Sequence, residues 1–123
     1  MKKINLSNLN QTWFIDIDGV ILKHNGYMQN GDELNNNVVS FFRKIPKHDY
    51  IILITSRKKI YKDITEKFLK NKKIRFNHII YDLPVGERII INDKKPRGLK
   101  TAIAINIKRD NFPDIKTIKN STL

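Results

Sequence analysis

The chain contains no cysteine, so a disulfide framework, a thiolate zinc site and a cysteine nucleophile are all excluded. Its longest apolar runs are four or five residues, too short to span a bilayer. Met1-Lys2-Lys3 is not followed by the apolar stretch of a signal peptide, and a cytoplasmic protein without membrane contact is expected. Neither aromatic platforms nor a groove-binding helix stands out, so a pure nucleic-acid-binding module is not indicated. Acidic residues are also scarce. Twelve Asp and Glu stand against 24 Lys and Arg, for a formal charge of +12. That excess suits an acidic partner, nucleic acid included. Yet most of the cations are widely spread lysines in a chain rich in Ile and Asn, and an AT-rich coding sequence explains them equally well. With 40% hydrophobic residues a core can form, and 123 residues suit one domain. No repeat or linker divides residues 1–123.

Hydrophobic patterning alternates strands and helices. Trp13 to Ile17 is an apolar run broken by Asp16, as expected of a strand buried on both faces, and Asp18-Gly19 ends it. Residues 19–31, centred on Asn25-Gly26, read as a small hairpin or flap. Asp32 is placed to cap a helix running to Lys44, with Leu34, Val38, Phe41 and Ile45 inward and Pro46 as its stop. Tyr50–Ile54 reads as a second strand closed by Thr55-Ser56-Arg57. A basic helix follows, with Ile60, Ile64, Phe68 and Leu69 inward and Lys62, Lys67 and Lys70 solvated. His78–Tyr81, Arg88–Ile91 and Thr101–Ile107 read as three more strands, and residues 112–123 as a frayed tail. This order predicts an α/β fold: a single Rossmann-like three-layer domain on a mainly parallel sheet of about five strands.

The few carboxylates fall in telling places. Asp16 and Asp18 close the first strand of this reading, and Asp93 closes the fourth. Ligands of parallel α/β sheets lie beyond the carboxyl ends of the strands, where these acids and Thr55 converge. Gathered carboxylates repel one another unless a cation sits among them. An oxygen-only set without His or Cys favours Mg²⁺ over zinc. One carboxylate can attack phosphorus while the other handles a proton. Thr55 and a cation from Arg57, Lys94 or Lys95 are candidates to hold the phosphoryl oxygens.

Asp16-Ile17-Asp18-Gly19-Val20 after an apolar strand resembles the first motif of the haloacid dehalogenase (HAD) superfamily of phosphatases. Ile52-Leu53-Ile54-Thr55 is similar to the second, and Ile89-Ile90-Ile91-Asn92-Asp93 to the fourth. The three occur in the family's order across residues 13–93. Leu83 to Pro96, with Gly98-Leu99-Lys100-Thr101-Ala102, resembles small HAD phosphatases of capsular and surface-polysaccharide biosynthesis. The resemblance implies that Asp16 is the nucleophile, passing through an aspartyl-phosphate, and that Asp18 carries the proton. It implies Mg²⁺ held by the Asp16 and Asp93 carboxylates and the Asp18 carbonyl, with Thr55 on the phosphoryl group. The family's third motif, a Lys or Arg, has no clear counterpart: Leu83-Pro84 stands where a related pattern has Lys-Pro. Lys95 is the first candidate for that role and Arg57 the second. The usual acid downstream of the fourth motif is also missing, which leaves Asn92 as a supporting contact. Ser56, Arg57 and Lys23 are the expected substrate-binding residues.

Structural alternatives stand beside each reading. Asp and Gly are ordinary turn residues, but Asp16 lies within an apolar run where a purely structural carboxylate is costly. Thr55 suits a helix cap as well as a phosphate contact. His24, His48 and His78 lack ligand spacing. About a dozen residues separate the paired Asp from the first helix, too few for a cap domain. An open site of this kind calls for a bulky substrate or a homo-oligomer that covers it. The leading expectation is a phosphatase of a phosphorylated sugar or related small molecule. A nucleic-acid end phosphatase is the alternative, and a phospho-receiver domain is less favoured because Asp82 does not close an apolar strand in a matching frame.

Overall fold

The computed structural model describes residues 1–123. Five short strands and two helices form an α/β fold. Strand β1 is Lys2–Leu6, β2 Thr12–Asp16, β3 Tyr50–Ile54, β4 His78–Ile80 and β5 Ile115–Lys119; helix α1 is Val38–Lys44 and α2 Lys62–Asn71. The strands pair in parallel throughout. The strands form two sheets, β1-β5 and β2-β3-β4, rather than the single sheet expected. This architecture is compatible with a Rossmann-like fold.

One hydrophobic core joins both sheets. Ile4, Leu6 and Ile115 from the first pair pack in the same cluster as Ile15, Ile51, Leu53 and Ile79 from the second. Phe41 of α1 ties the two together, with its ring 5.5 Å from Trp13 and 5.1 Å from Phe112. Asp49 is buried at this seam and accepts hydrogen bonds from the Trp13 indole at 2.9 Å and the Gln11 amide at 3.0 Å. It supplies acceptors to groups that a buried position would otherwise leave unpaired.

Several expectations are corrected. Residues 112–123 are not a frayed tail: Ile115–Lys119 pair with Lys2–Leu6, from Lys2↔Ile115 to Leu6↔Lys119. The reading missed β1 because the alternation of Lys3 and Asn5 with Ile4 and Leu6 covers only five residues. Residues 19–31 form no two-stranded hairpin: tight turns and a 3₁₀ turn at Gly26–Met28 are closed by a single antiparallel bridge between Leu22 and Leu34. Helix α1 starts at Val38, not after Asp32, and Asn37 at φ 67 precedes it. In α2 Thr65 and Leu69 are buried and Phe68 packs against the core as expected, while Ile64, and Ile60 in the 3₁₀ turn before the helix, face solvent.

The fourth and fifth expected strands do not form. Ile89 and Ile91 are 82% and 94% exposed, and no backbone–backbone hydrogen bond involves residues 84–94 or 100–107. Their β-branched composition favours a strand, but a strand needs a partner for its backbone groups, and this segment has none. Lys95, Gly98 and Leu99 instead close a local turn.

Candidate functional site

The β2–β3 register sets Asp16 opposite Ile54, so the next residues of each strand leave the sheet at the same carboxyl edge. The chain turns sharply there. Ile17 O accepts the amides of Val20, Ile21 and Leu22, and Gly19 sits at φ +83, a conformation side chains resist. Asp18 is thereby aimed at β3, where its Oδ2 accepts the Thr55 hydroxyl at 3.0 Å.

Arg57 organises the interior of the site. It is 1% exposed and donates from Nη2 to Asp18 Oδ1 at 2.8 Å and to Asp32 Oδ1 at 2.7 Å. Nε bridges both Asp18 oxygens at 3.1 Å, while Nη1 reaches Asp32 Oδ2 at 3.0 Å and Thr65 Oγ1 at 2.8 Å. The Tyr27 ring lies 4.1 Å from the guanidinium carbon. Burial works against the charge on Arg57, but the hydrogen bonds from Asp32 and Asp18 outweigh it and hold the proton more firmly than in a free arginine. Arg57 was expected to touch substrate. The structure commits its donors to protein groups.

Asp16 differs from Asp18. Its side chain is about one-third exposed, and its ion pair is with Arg88, Nη2 to Oδ1 at 3.3 Å. Burial pushes its carboxyl above the ordinary value, and the Arg88 charge partly opposes that shift. The same Arg88 Nη2 is 3.3 Å from Ser56 Oγ, and its Nη1 donates to the Pro84 and Gly86 carbonyls. Sequence reasoning placed Arg88 inside a strand and missed it as a site residue. The available signal was topological. Strand β4 ends at the same edge of the sheet as β2 and β3, so a cation on the segment leaving β4 is within reach of Asp16.

The structure thus brings Asp16, Asp18, Thr55, Ser56 and Arg57 together. It does not gather the remaining candidates with them. Asp93 is exposed and makes no ion pair or hydrogen bond with Asp16 or Asp18; its amide is bonded by Asn92 and its carbonyl by Thr101. The Asn92 side chain accepts the Asp93 amide at 3.0 Å rather than supporting Asp16 or Asp18. Lys94 and Lys95 are exposed without ion pairs, and Lys23 is half-buried with its amide on the Glu33 carbonyl. No group of three or more His, Asp and Glu side chains gathers closely enough to hold a metal ion. Of the expected Mg²⁺ ligands, the Asp93 carboxylate is therefore not gathered with Asp16 and the Asp18 carbonyl.

A second layer covers the turn after β2. The Asp110 amide donates to the Gly19 carbonyl at 2.8 Å, and Asp110 Oδ1 accepts the His24 amide at 2.8 Å. A cavity of about 490 Å³ opens elsewhere, at the amino ends of the strands beside Trp13, Phe41 and Ile115. Of the two carboxylates, Asp16 is the more open, 32% exposed against 15% for Asp18. No helix is long and apolar enough to cross a membrane. No family model, curated protein or solved structure matches the chain.

Proposed function

We propose that the chain is a phosphomonoester hydrolase in which Asp16 attacks phosphorus. One observation carries this reading. A partly desolvated carboxylate at the carboxyl edge of a parallel sheet faces an arginine that also reaches a neighbouring hydroxyl. Such a set offers a nucleophile beside a cation and a hydroxyl that can hold phosphoryl oxygens. The ordered motifs that resemble HAD phosphatases support the same chemistry.

In the first step an Asp16 oxygen bonds to phosphorus as the bond to the alcohol oxygen breaks. The leaving alcohol takes a proton from Asp18, whose carboxyl must give up the Thr55 or Arg57 donor on one oxygen to carry it. In the second step water attacks the aspartyl-phosphate and gives its proton back to Asp18, which releases inorganic phosphate and restores Asp16. While Asp18 is protonated, Asp32 keeps the buried Arg57 neutralised, so the cycle never strands that charge. Arg88 exchanges its contact with Asp16 for the incoming phosphate. Mg²⁺, which the resemblance implies, is assigned no step, because the carboxylates do not assemble around it here.

The substrate class follows from the resemblance: a phosphorylated sugar or related metabolite of surface-polysaccharide synthesis. A phosphorylated nucleic-acid end is the second reading, favoured by the +12 charge. Phosphate release from a panel of sugar, polyol and nucleotide phosphates and phosphorylated DNA ends, with and without Mg²⁺, tests the proposal. Turnover that disappears in Asp16→Asn supports it, and the preferred compound chooses the class. Absence of turnover on every compound in both conditions overturns it.

A further inference from the structure

The arginines around the turn after β2 have different commitments. Arg57 is saturated by Asp18, Asp32 and Thr65, and Arg88 is engaged with Asp16 and Ser56. Arg109 is exposed and makes no hydrogen bond or ion pair. Its stem nevertheless lies against the turn at Gly19. A Cβ on Gly19 would stand 3.3 Å from Arg109 Cγ and 3.9 Å from both Cδ and Nε, so the side chain runs along a backbone that only glycine leaves bare.

The support for Arg109 is built from both sides. Asp110 adopts φ 61, a conformation non-glycine residues use sparingly. From there it bonds the Gly19 carbonyl through its amide and the His24 amide through its carboxylate. These contacts join residues 19–24 to residues 109–110 and set an unpaired guanidinium beside the turn that carries Asp18. Lys23 belongs to the same rim and, like Arg109, makes no ion pair. The rim therefore presents positive charge beyond the one arginine that faces the nucleophile.

A planar, unpaired guanidinium whose stem runs along the turn suits bidentate recognition of a carboxylate or phosphate. We infer that Arg109 is a specificity residue that reads a second anionic group on the substrate, so that the preferred esters carry a carboxylate or a further phosphate besides the phosphate to be cleaved. The inference rests on the hydrolase reading for its chemistry, but its test also has a binding arm that needs no turnover.

The probes are a matched pair, glycerol 3-phosphate and 3-phosphoglycerate, which differ by the carboxylate. Their affinities are measured by calorimetry on Asp16→Asn protein, and their KM values on wild type. The carboxylate-bearing member should bind about tenfold more tightly, as expected for one charge-assisted contact at a partly exposed site. Arg109→Gln should abolish that ratio, and Arg109→Lys should restore part of it. Equal affinities in the unaltered rim, or an equal loss for both probes in Arg109→Gln, overturns the inference. A preference seen in binding without hydrolysis of either probe would retire the hydrolase reading on these compounds and leave the role of Arg109 standing. Thermal melting of each variant checks that the rim is folded.

Discussion

Asp32 Oδ1 accepts a hydrogen bond from Arg57 Nη2 at 2.7 Å, although in sequence Asp32 has the look of a helix cap. The two side chains are 5% and 0% exposed. The pair is the inner wall of the candidate site, and its removal has a defined consequence. Arg57→Met leaves two largely buried carboxylates without a counter-charge, which should cost about 3–5 kcal/mol of stability. Urea denaturation of Arg57→Met, Arg57→Lys and wild type checks this, with the lysine variant intermediate. A midpoint unchanged in Arg57→Met would contradict the network.

Asp16 makes an opposite prediction. Because burial raises its carboxyl pKa from 3.8, the folded state favours the protonated form. That contribution is fully present below the ordinary value and is lost as pH rises through the raised one. Asn cannot ionise, so Asp16→Asn should match wild type in acid and melt progressively higher than wild type as pH approaches neutrality. Differential scanning fluorimetry across that range reads the crossover. Nucleophilic attack needs the ionised form, so the acid limb of kcat/KM should also be displaced upward from the ordinary carboxylate value.

Arg88 should matter for ligand more than for folding. Its ion pair with Asp16 is one-third exposed on both sides, and such pairs contribute about 0–1 kcal/mol. Arg88→Ala should leave the melting temperature nearly unchanged while lowering kcat/KM by about 100-fold, in line with loss of a charge-stabilising donor. Steady-state kinetics and melting curves on the same preparation separate the two effects. A large loss of stability would recast Arg88 as structural.

The seam between the sheets offers an optical test. Trp13 is the single tryptophan, and its indole N–H is held by Asp49. Asp49→Ala leaves buried donors unpaired at about 1–3 kcal/mol each at most. Its fluorescence should shift to the red as water enters, and the denaturation midpoint should fall. Unchanged emission would place the indole elsewhere.

Legibility in the sequence followed the availability of local pattern. Strands β2 and β3 and the sharp stop at Asp18-Gly19 could be read from continuous apolar runs bounded by turn residues. So could the convergence of Asp16, Asp18 and Thr55, because parallel strands share a carboxyl edge. The roles of Arg57 and Arg88 could not. Arg57 lies just past one strand-like run and Arg88 at the head of another, and only packing decides that one turns inward toward Asp32 and the other outward toward Asp16. Ile89-Ile90-Ile91 misled for a related reason: propensity measures fitness for a sheet, while the sheet itself depends on a neighbouring backbone. Strands β1 and β5 were hidden by length and by outward lysines.

The parallel pairing of Lys2–Leu6 with Ile115–Lys119 bears on how the protein acquires its structure as it is made. Strand β1 leaves the ribosome first yet has no partner until residues 115–119 follow. Its backbone and the inward faces of Ile4 and Leu6 stay unsatisfied throughout synthesis of the intervening chain. Contacts so distant in sequence form slowly. The β2-β3-β4 sheet can assemble beforehand, and closure of β1 on β5 then becomes the last step, the one at which a nascent chain is most open to chaperones and to misassociation.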